Sequence, residues 1–149
     1  TSSMAGILLD FKQADVWFAS VQKCFGLPAG MAVMVCSPKA IERARQVNER
    51  LHYNSLSSMI KMMEVWQTTH TPNVLAIYLL MRVMEKQAPI KTIHKQTSTR
   101  FNQWKNFLLQ QKDLKLLVEN TAVQSQTVLP LMADPAYVIQ VKAKAKKAG

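Results

Sequence analysis

Apolar residues crowd two short stretches, 14–21 and 31–36. The first carries Val16, Trp17, Phe18 and Val21, the second runs from Met31 to Cys36, and both read as strands rich in aromatic and β-branched side chains. Gly26, Pro28 and Gly30 separate them and predict a loop. Strands this apolar next to helices suggest a sheet covered on both faces, hence an α/β protein rather than a helical bundle.

From residue 37 the period changes. Ser37 is a candidate N-cap with Pro38 at the first helical position, and Ala40, Ile41, Ala44 and Val47 fall on one face of the helix they start. Residues 54–67 repeat Leu56, Met59, Ile60, Met63 and Trp66 at helical spacing, a stripe that reads as core packing. Thr71 is a candidate N-cap, and Pro72 a candidate first residue, of a helix over 73–86 that is apolar on nearly all sides and expected to be buried. Ala88-Pro89 stops it and marks a domain boundary, dividing the chain into 1–88 and 89–149. Beyond it the pattern predicts a long, mostly polar helix over 90–111, short strands over 114–118 and 127–132, and a last helix capped by Asp134 with Pro135 first. The second part therefore reads α-β-β-α.

The net charge of +10 is lopsided: 7 basic and 5 acidic side chains in 1–81 give +2, whereas 12 and 4 in 82–149 give +8. Lys142, Lys144, Lys146 and Lys147 crowd the C-terminal tail, which admits a basic nucleic-acid-binding module as a rival reading. Such a run is more often a solvated helix face, and the Arg/aromatic interleaving of a single-strand binder is missing, so no nucleic-acid partner is expected. No apolar run is long enough to cross a bilayer, and the first residues have no secretory pattern. Cys24 and Cys36, outside any CxxC or metal pattern, fit a reducing cytosol, so a cytoplasmic protein is expected. His52 and His94 have no partner at metal spacing and read as structural or exposed.

Lys23 ends the first apolar stretch, directly ahead of the Gly-Pro-Gly loop. That order puts an amine at the mouth of a sheet, where it can be held still and partly stripped of water. A desolvated ammonium gives up its proton more readily, which suits imine chemistry with a carbonyl cofactor. Taken alone, Lys23 is equally a loop lysine, Thr71 a helix cap and Cys24 a packed thiol.

The segment 14–23 with Gly26-Leu27-Pro28-Ala29-Gly30 resembles the lysine segment of the class V aminotransferases, and among them the phosphoserine aminotransferase family. The resemblance continues through His52-Tyr53-Asn54-Ser55 and through 71–78, and fades after about Lys95. It implies a fold type I enzyme using pyridoxal 5'-phosphate, with the C-terminal part of the large-domain sheet in 1–88 and the start of the small α/β domain in 89–149. Lys23 would carry the cofactor covalently and move the proton at the substrate carbon. Gln22 would hydrogen-bond the cofactor phosphate. Thr71 would reach the phosphate bound in the neighbouring subunit of a homodimer with a shared active site. A helix N-terminus suits such an anion. The family has Asn where His70 stands, and His70 either donates the same hydrogen bond or caps the loop.

The resemblance also implies groups not matched here. The acid that pairs with the pyridine nitrogen would fall before Thr1, since neither Asp10 nor Asp15 matches its position. The arginine for the substrate carboxylate would fall beyond Gly149. The chain is therefore expected to be a piece of a longer enzyme, unable to transaminate by itself. The expected substrates are a small amino acid and a 2-oxo acid, with another class V reaction, desulfuration or cleavage, as the alternative. If phosphoserine is the donor, His52, Arg43, Arg45 and Arg50 are candidates for its phosphate.

Overall fold

A computed structural model describes all 149 residues. Strands β1 (Val16–Ser20) and β2 (Ala32–Cys36) form an antiparallel ribbon with Val16 opposite Cys36 and Ser20 opposite Ala32. Helices α1 (Pro38–Val47), α2 (Leu56–Glu64), α3 (Val74–Lys86) and α4 (Ile90–Leu109) follow. A second, two-residue ribbon pairs β3 (Lys115–Leu116) with β4 (Leu131–Met132), and α5 (Pro135–Ala148) closes the chain. The elements are mixed α/β, as expected, and the second part has the α-β-β-α order read from its pattern.

Side-chain caps start every α-helix except α4, which follows Pro89. Ser37 Oγ accepts from Ala40 N at 3.0 Å and Asp134 Oδ1 from Ala136 N at 2.8 Å, with proline at the first turn of both α1 and α5. The expected start of α3 is corrected. Asn73, not Thr71, is its cap and accepts from Ala76 N at 3.1 Å, so Pro72 lies outside the helix. An Asn side chain reaches the N3 amide as well as Thr does, and the two lie only two residues apart.

The core is small: Met4, Ala19, Val21 and Phe25 form its buried cluster, with Leu9, Trp17, Val33 and Leu80 packed around it. Val21, at 0% exposure, is its fixed point, and burying such a side chain contributes roughly 1.5–3 kcal/mol. The expectation of a sheet covered on both faces is not met. The ribbon packs one face on Met4 and Phe25, whereas Val16, Phe18 and Met34 on its other face are exposed, because this chain supplies no layer to cover them. Nor is α3 buried: Val74, Leu75, Tyr78 and Met84 are all more than half exposed. In the methionine stripe of α2 only Ile60 is buried, and Met63 and Trp66 face solvent. The short β3–β4 ribbon has a local cause. Pro130, just before β4, has no N–H to extend the ladder, although its carbonyl accepts from Leu117 N at 3.0 Å.

Candidate active site at the Lys23 turn

The end of β1 builds the turn that carries Gln22 and Lys23. Val21 N–H donates to Met31 O and its carbonyl accepts from Leu27 N, both at 3.1 Å, which pinches the loop shut at its base. Inside it Lys23 N donates to Ser20 O at 3.4 Å and Gly26 N to Lys23 O at 2.9 Å. Gly26 has φ +72° and Gly30 φ +120°, backbone that other residues rarely adopt, so the two glycines let the chain reverse into β2. Val21 and Phe25 take the buried positions, which leaves Gln22 and Lys23 exposed between them. The backbone that carries Lys23 is thus hydrogen-bonded on both sides, whereas its exposed amine makes no hydrogen bond or ion pair within the chain. The amine is not desolvated by this chain, and the reading of a buried amine is corrected.

The next residue of the turn is half-buried. Cys24 packs against Gly6, and burial pushes its thiol pKa up, offset in part by the Thr127 hydroxyl. It is a packed thiol rather than an activated one. Behind it opens a cavity of about 680 Å³ walled by Gly6, Cys24, Thr97, Arg100, Phe101 and Thr127, between the turn and α4.

His70 and Thr71 lie in the exposed link between α2 and α3. The His70 ring stacks on Tyr53 with centroids 4.3 Å apart, and its Nδ1 lies 3.1 Å from Thr69 Oγ1. No hydrogen bond or ring contact within the chain joins this link to Gln22 or Lys23. Among the candidates for a substrate phosphate, Arg45 pairs with Glu64 at 2.7 Å and Arg50 donates to Asn48 Oδ1 at 2.7 Å. His52 Nδ1 contacts Glu49 at 2.9 Å and holds that carboxyl below its ordinary pKa, while Arg43 and His52 both line a cavity of about 540 Å³ beside α1. Asp10 and Asp15 are committed locally. The Gln13 side chain and the Lys12 amide lower the pKa of Asp10, and the Ser37 hydroxyl and Lys39 lower that of Asp15. No helix is long and apolar enough to cross a membrane. The C-terminal lysines are all exposed on α5, a solvated face.

The residues present suit the part of pyridoxal phosphate that they would hold. Lys23 has no carboxylate partner within the chain to neutralise its amine, and the adjacent Gln22 amide brings two N–H donors without a second positive charge.

Comparison with known proteins bears on the same reading. No family model matches. A phosphoserine aminotransferase of Rhodococcus opacus (strain B4) is 26% identical over 153 residues, covering 95% of this chain and 36% of that protein. One from Corynebacterium glutamicum (strain R) is 32% identical over 84 residues, 54% of this chain and 22% of its own length. The crystal structure of a phosphoserine aminotransferase from Cytophaga hutchinsonii ATCC 33406 superposes with a TM-score of 0.82 at 29% identity, over 95% of this chain and 41% of that one. The chain thus has the fold of part of a fold type I pyridoxal-phosphate transferase. It is similar to phosphoserine aminotransferase in particular, in sequence and in structure alike, and neither the lyase nor the nucleic-acid alternative is favoured. The chain spans about a third of the length of the first relative and two fifths of the structural neighbour.

Proposed function

We propose that the protein carrying this chain is a pyridoxal-phosphate-dependent aminotransferase of the phosphoserine aminotransferase type, moving an amino group between an amino acid and a 2-oxo acid. The observation that carries this is the Gln22–Lys23 turn, pinned at the end of β1 in a chain that superposes on a phosphoserine aminotransferase over 95% of its length. When bound, pyridoxal phosphate supplies an electron sink for the substrate's α-carbon. The chain's own residues then have separate tasks. Lys23 anchors the cofactor through Nζ and moves the proton at the α-carbon. Gln22 donates an N–H to the phosphate.

His70 and Thr71 lie apart from Lys23 within the chain, which agrees with a role for Thr71, and for His70 beside it, toward the phosphate in a second subunit. The protein is accordingly a homodimer with a shared, class V type site. Residues 1–88 belong to the cofactor domain and 89–149 to the small domain. The two unpaired cysteines suit a reducing, cytoplasmic setting.

Borohydride reduction of the cofactor-loaded protein, followed by peptide mapping, tests the reading. The label is expected on Lys23, and Lys23→Ala is expected to lose both label and turnover. A label on another lysine, or unchanged turnover in Lys23→Ala, overturns it.

A further inference from the structure

The turn that carries Lys23 is held from behind by a residue far away in sequence. Thr127, between α4 and β4, places Oγ1 2.7 Å from Ser3 Oγ and 3.1 Å from Ser125 Oγ. Ser3 is itself buried. Its carbonyl accepts from Gly6 N at 2.9 Å and from Ile7 N at 3.2 Å, closing a turn in which Ala5 has φ +69°. That turn sits tight against Cys24: a Cβ added at Gly6 would come within 2.7 Å of Cys24 Sγ and 3.3 Å of Thr127 Cγ2. Met4, inside the same turn, packs with Ala19, Val21 and Phe25, the residues on either side of Gln22–Lys23. The contacts therefore run from Thr127 to Ser3, through Gly6 to Cys24, and through Met4 to the core residues on either side of Lys23.

We propose that Thr127 is a positioning residue for Lys23: its hydroxyl holds the Ser3–Gly6 turn against which Cys24 packs, so that the segment following α4 sets where the Lys23 turn stands. The assignment rests on the reading of Lys23 as the cofactor-bearing lysine. Its physical basis is the partner pattern of one hydroxyl. A threonine Oγ1 has one proton and two lone pairs, enough to meet Ser3 and Ser125 together, and valine in its place keeps the shape and removes both links. The 680 Å³ cavity between the Lys23 turn and α4 leaves room for movement when they are lost.

The test compares Thr127→Val, Thr127→Ser and Ser3→Ala in the full chain. Without cofactor, amide hydrogen exchange in residues 3–7 and 23–27 is expected to speed up roughly three- to tenfold in Thr127→Val, to return to the starting rate in Thr127→Ser, and to stay unchanged in α1. Ser3→Ala combined with Thr127→Val should exchange no faster than Thr127→Val alone, since Thr127→Val already removes the Ser3 link. With cofactor bound, the pH at which the visible absorbance changes should move in Thr127→Val and not in Thr127→Ser. Exchange unchanged at 23–27, exchange raised equally in α1, or an absorbance titration that stays fixed overturns the clamp. If borohydride fails to label Lys23 in the unmutated protein, the functional reading falls instead, whatever Thr127 does to exchange. A labelled Lys23 with no effect of Thr127→Val removes the clamp alone.

Discussion

Tyr53 stacks on His70 with ring centroids 4.3 Å apart and planes 28° from parallel. The pair joins the loop before α2 to the link before α3 and so fixes the residue that precedes Thr71. Both rings are exposed, so the contact contributes modestly, about 1 kcal/mol or less. His70→Asn, which restores the residue the class V family has there, is expected to lose no more than that in urea denaturation and to keep cofactor affinity, because the amide offers an equivalent donor. A drop in affinity of more than about tenfold would assign the imidazole itself to the phosphate.

Gln22 and Lys23 are separable by experiment. On the proposed reading Gln22→Leu removes a neutral donor to the cofactor's phosphate dianion, and hydrogen bonds to charged groups are worth roughly 1.5–3 kcal/mol. Pyridoxal phosphate affinity, followed by fluorescence, is expected to fall about tenfold or more, while borohydride still labels Lys23. Unchanged affinity would remove Gln22 from the phosphate site.

The acid limb of stability is expected to involve Asp15. Its Oδ1 accepts from Ser37 Oγ at 2.7 Å and its Oδ2 lies 3.2 Å from Lys39 Nζ, linking the start of β1 to the first turn of α1. The Ser37 hydroxyl first, and Lys39 next, hold this carboxyl below its ordinary pKa. A carboxyl whose folded pKa lies below the unfolded one stabilises the fold above the unfolded value, and that contribution vanishes as pH falls through the folded one. Asp15→Asn is therefore expected to lower Tm slightly near neutrality, with the two Tm curves converging below about pH 4. Curves that stay parallel down to acid pH would show that the bridge is neutral to folding.

Local signals were legible in the sequence at several turns and helix starts, although the cap of α3 is Asn73 and not Thr71. Ser37-Pro38 and Asp134-Pro135 start α1 and α5, and the glycines at 26 and 30 adopt positive φ. Burial was not legible, because it depends on what lies opposite. Hydrophobic runs such as 74–84 and the outer positions of β1 look like core by composition, yet they are exposed in a chain that spans about a third of a relative's length. The exposed state of Lys23 has the same origin: the turn after β1 puts Val21 and Phe25 inward, and nothing in this chain covers Gln22 and Lys23 between them. The Ser3–Thr127 contact spans 124 positions and no local pattern announces it. The one available hint was Gly6, which has no turn to serve by the sequence pattern and is small because Cys24 needs the space.

The chain's positive charge should not make it a nucleic-acid binder. The lysines of α5 are exposed along the helix with no aromatic platform among them. Binding to mixed-sequence DNA or RNA at low salt is expected to be negligible by fluorescence anisotropy. Tight binding that weakens steeply with salt would reverse this.

Gly6 and Cys24 should be coupled. The hydrogen at Gly6 stands where a methyl would lie 2.7 Å from Cys24 Sγ and 3.0 Å from its Cβ. Gly6→Ala must therefore push the Cys24 side chain, and with it the Lys23 turn, at a cost of about 1–3 kcal/mol. Cys24→Ala removes the sulfur, leaves the Cβ contact, and opens a small cavity. The double variant should then be more stable than the sum of the single effects predicts, by roughly 1 kcal/mol, since the sulfur that causes most of the clash is gone. Equilibrium denaturation of the four proteins measures the coupling. Additivity within about 0.5 kcal/mol would mean that the two turns are not in contact. Coupling of the expected sign would establish that the turn carrying Lys23 is wedged against the Ser3–Gly6 turn by the residue next to the lysine itself.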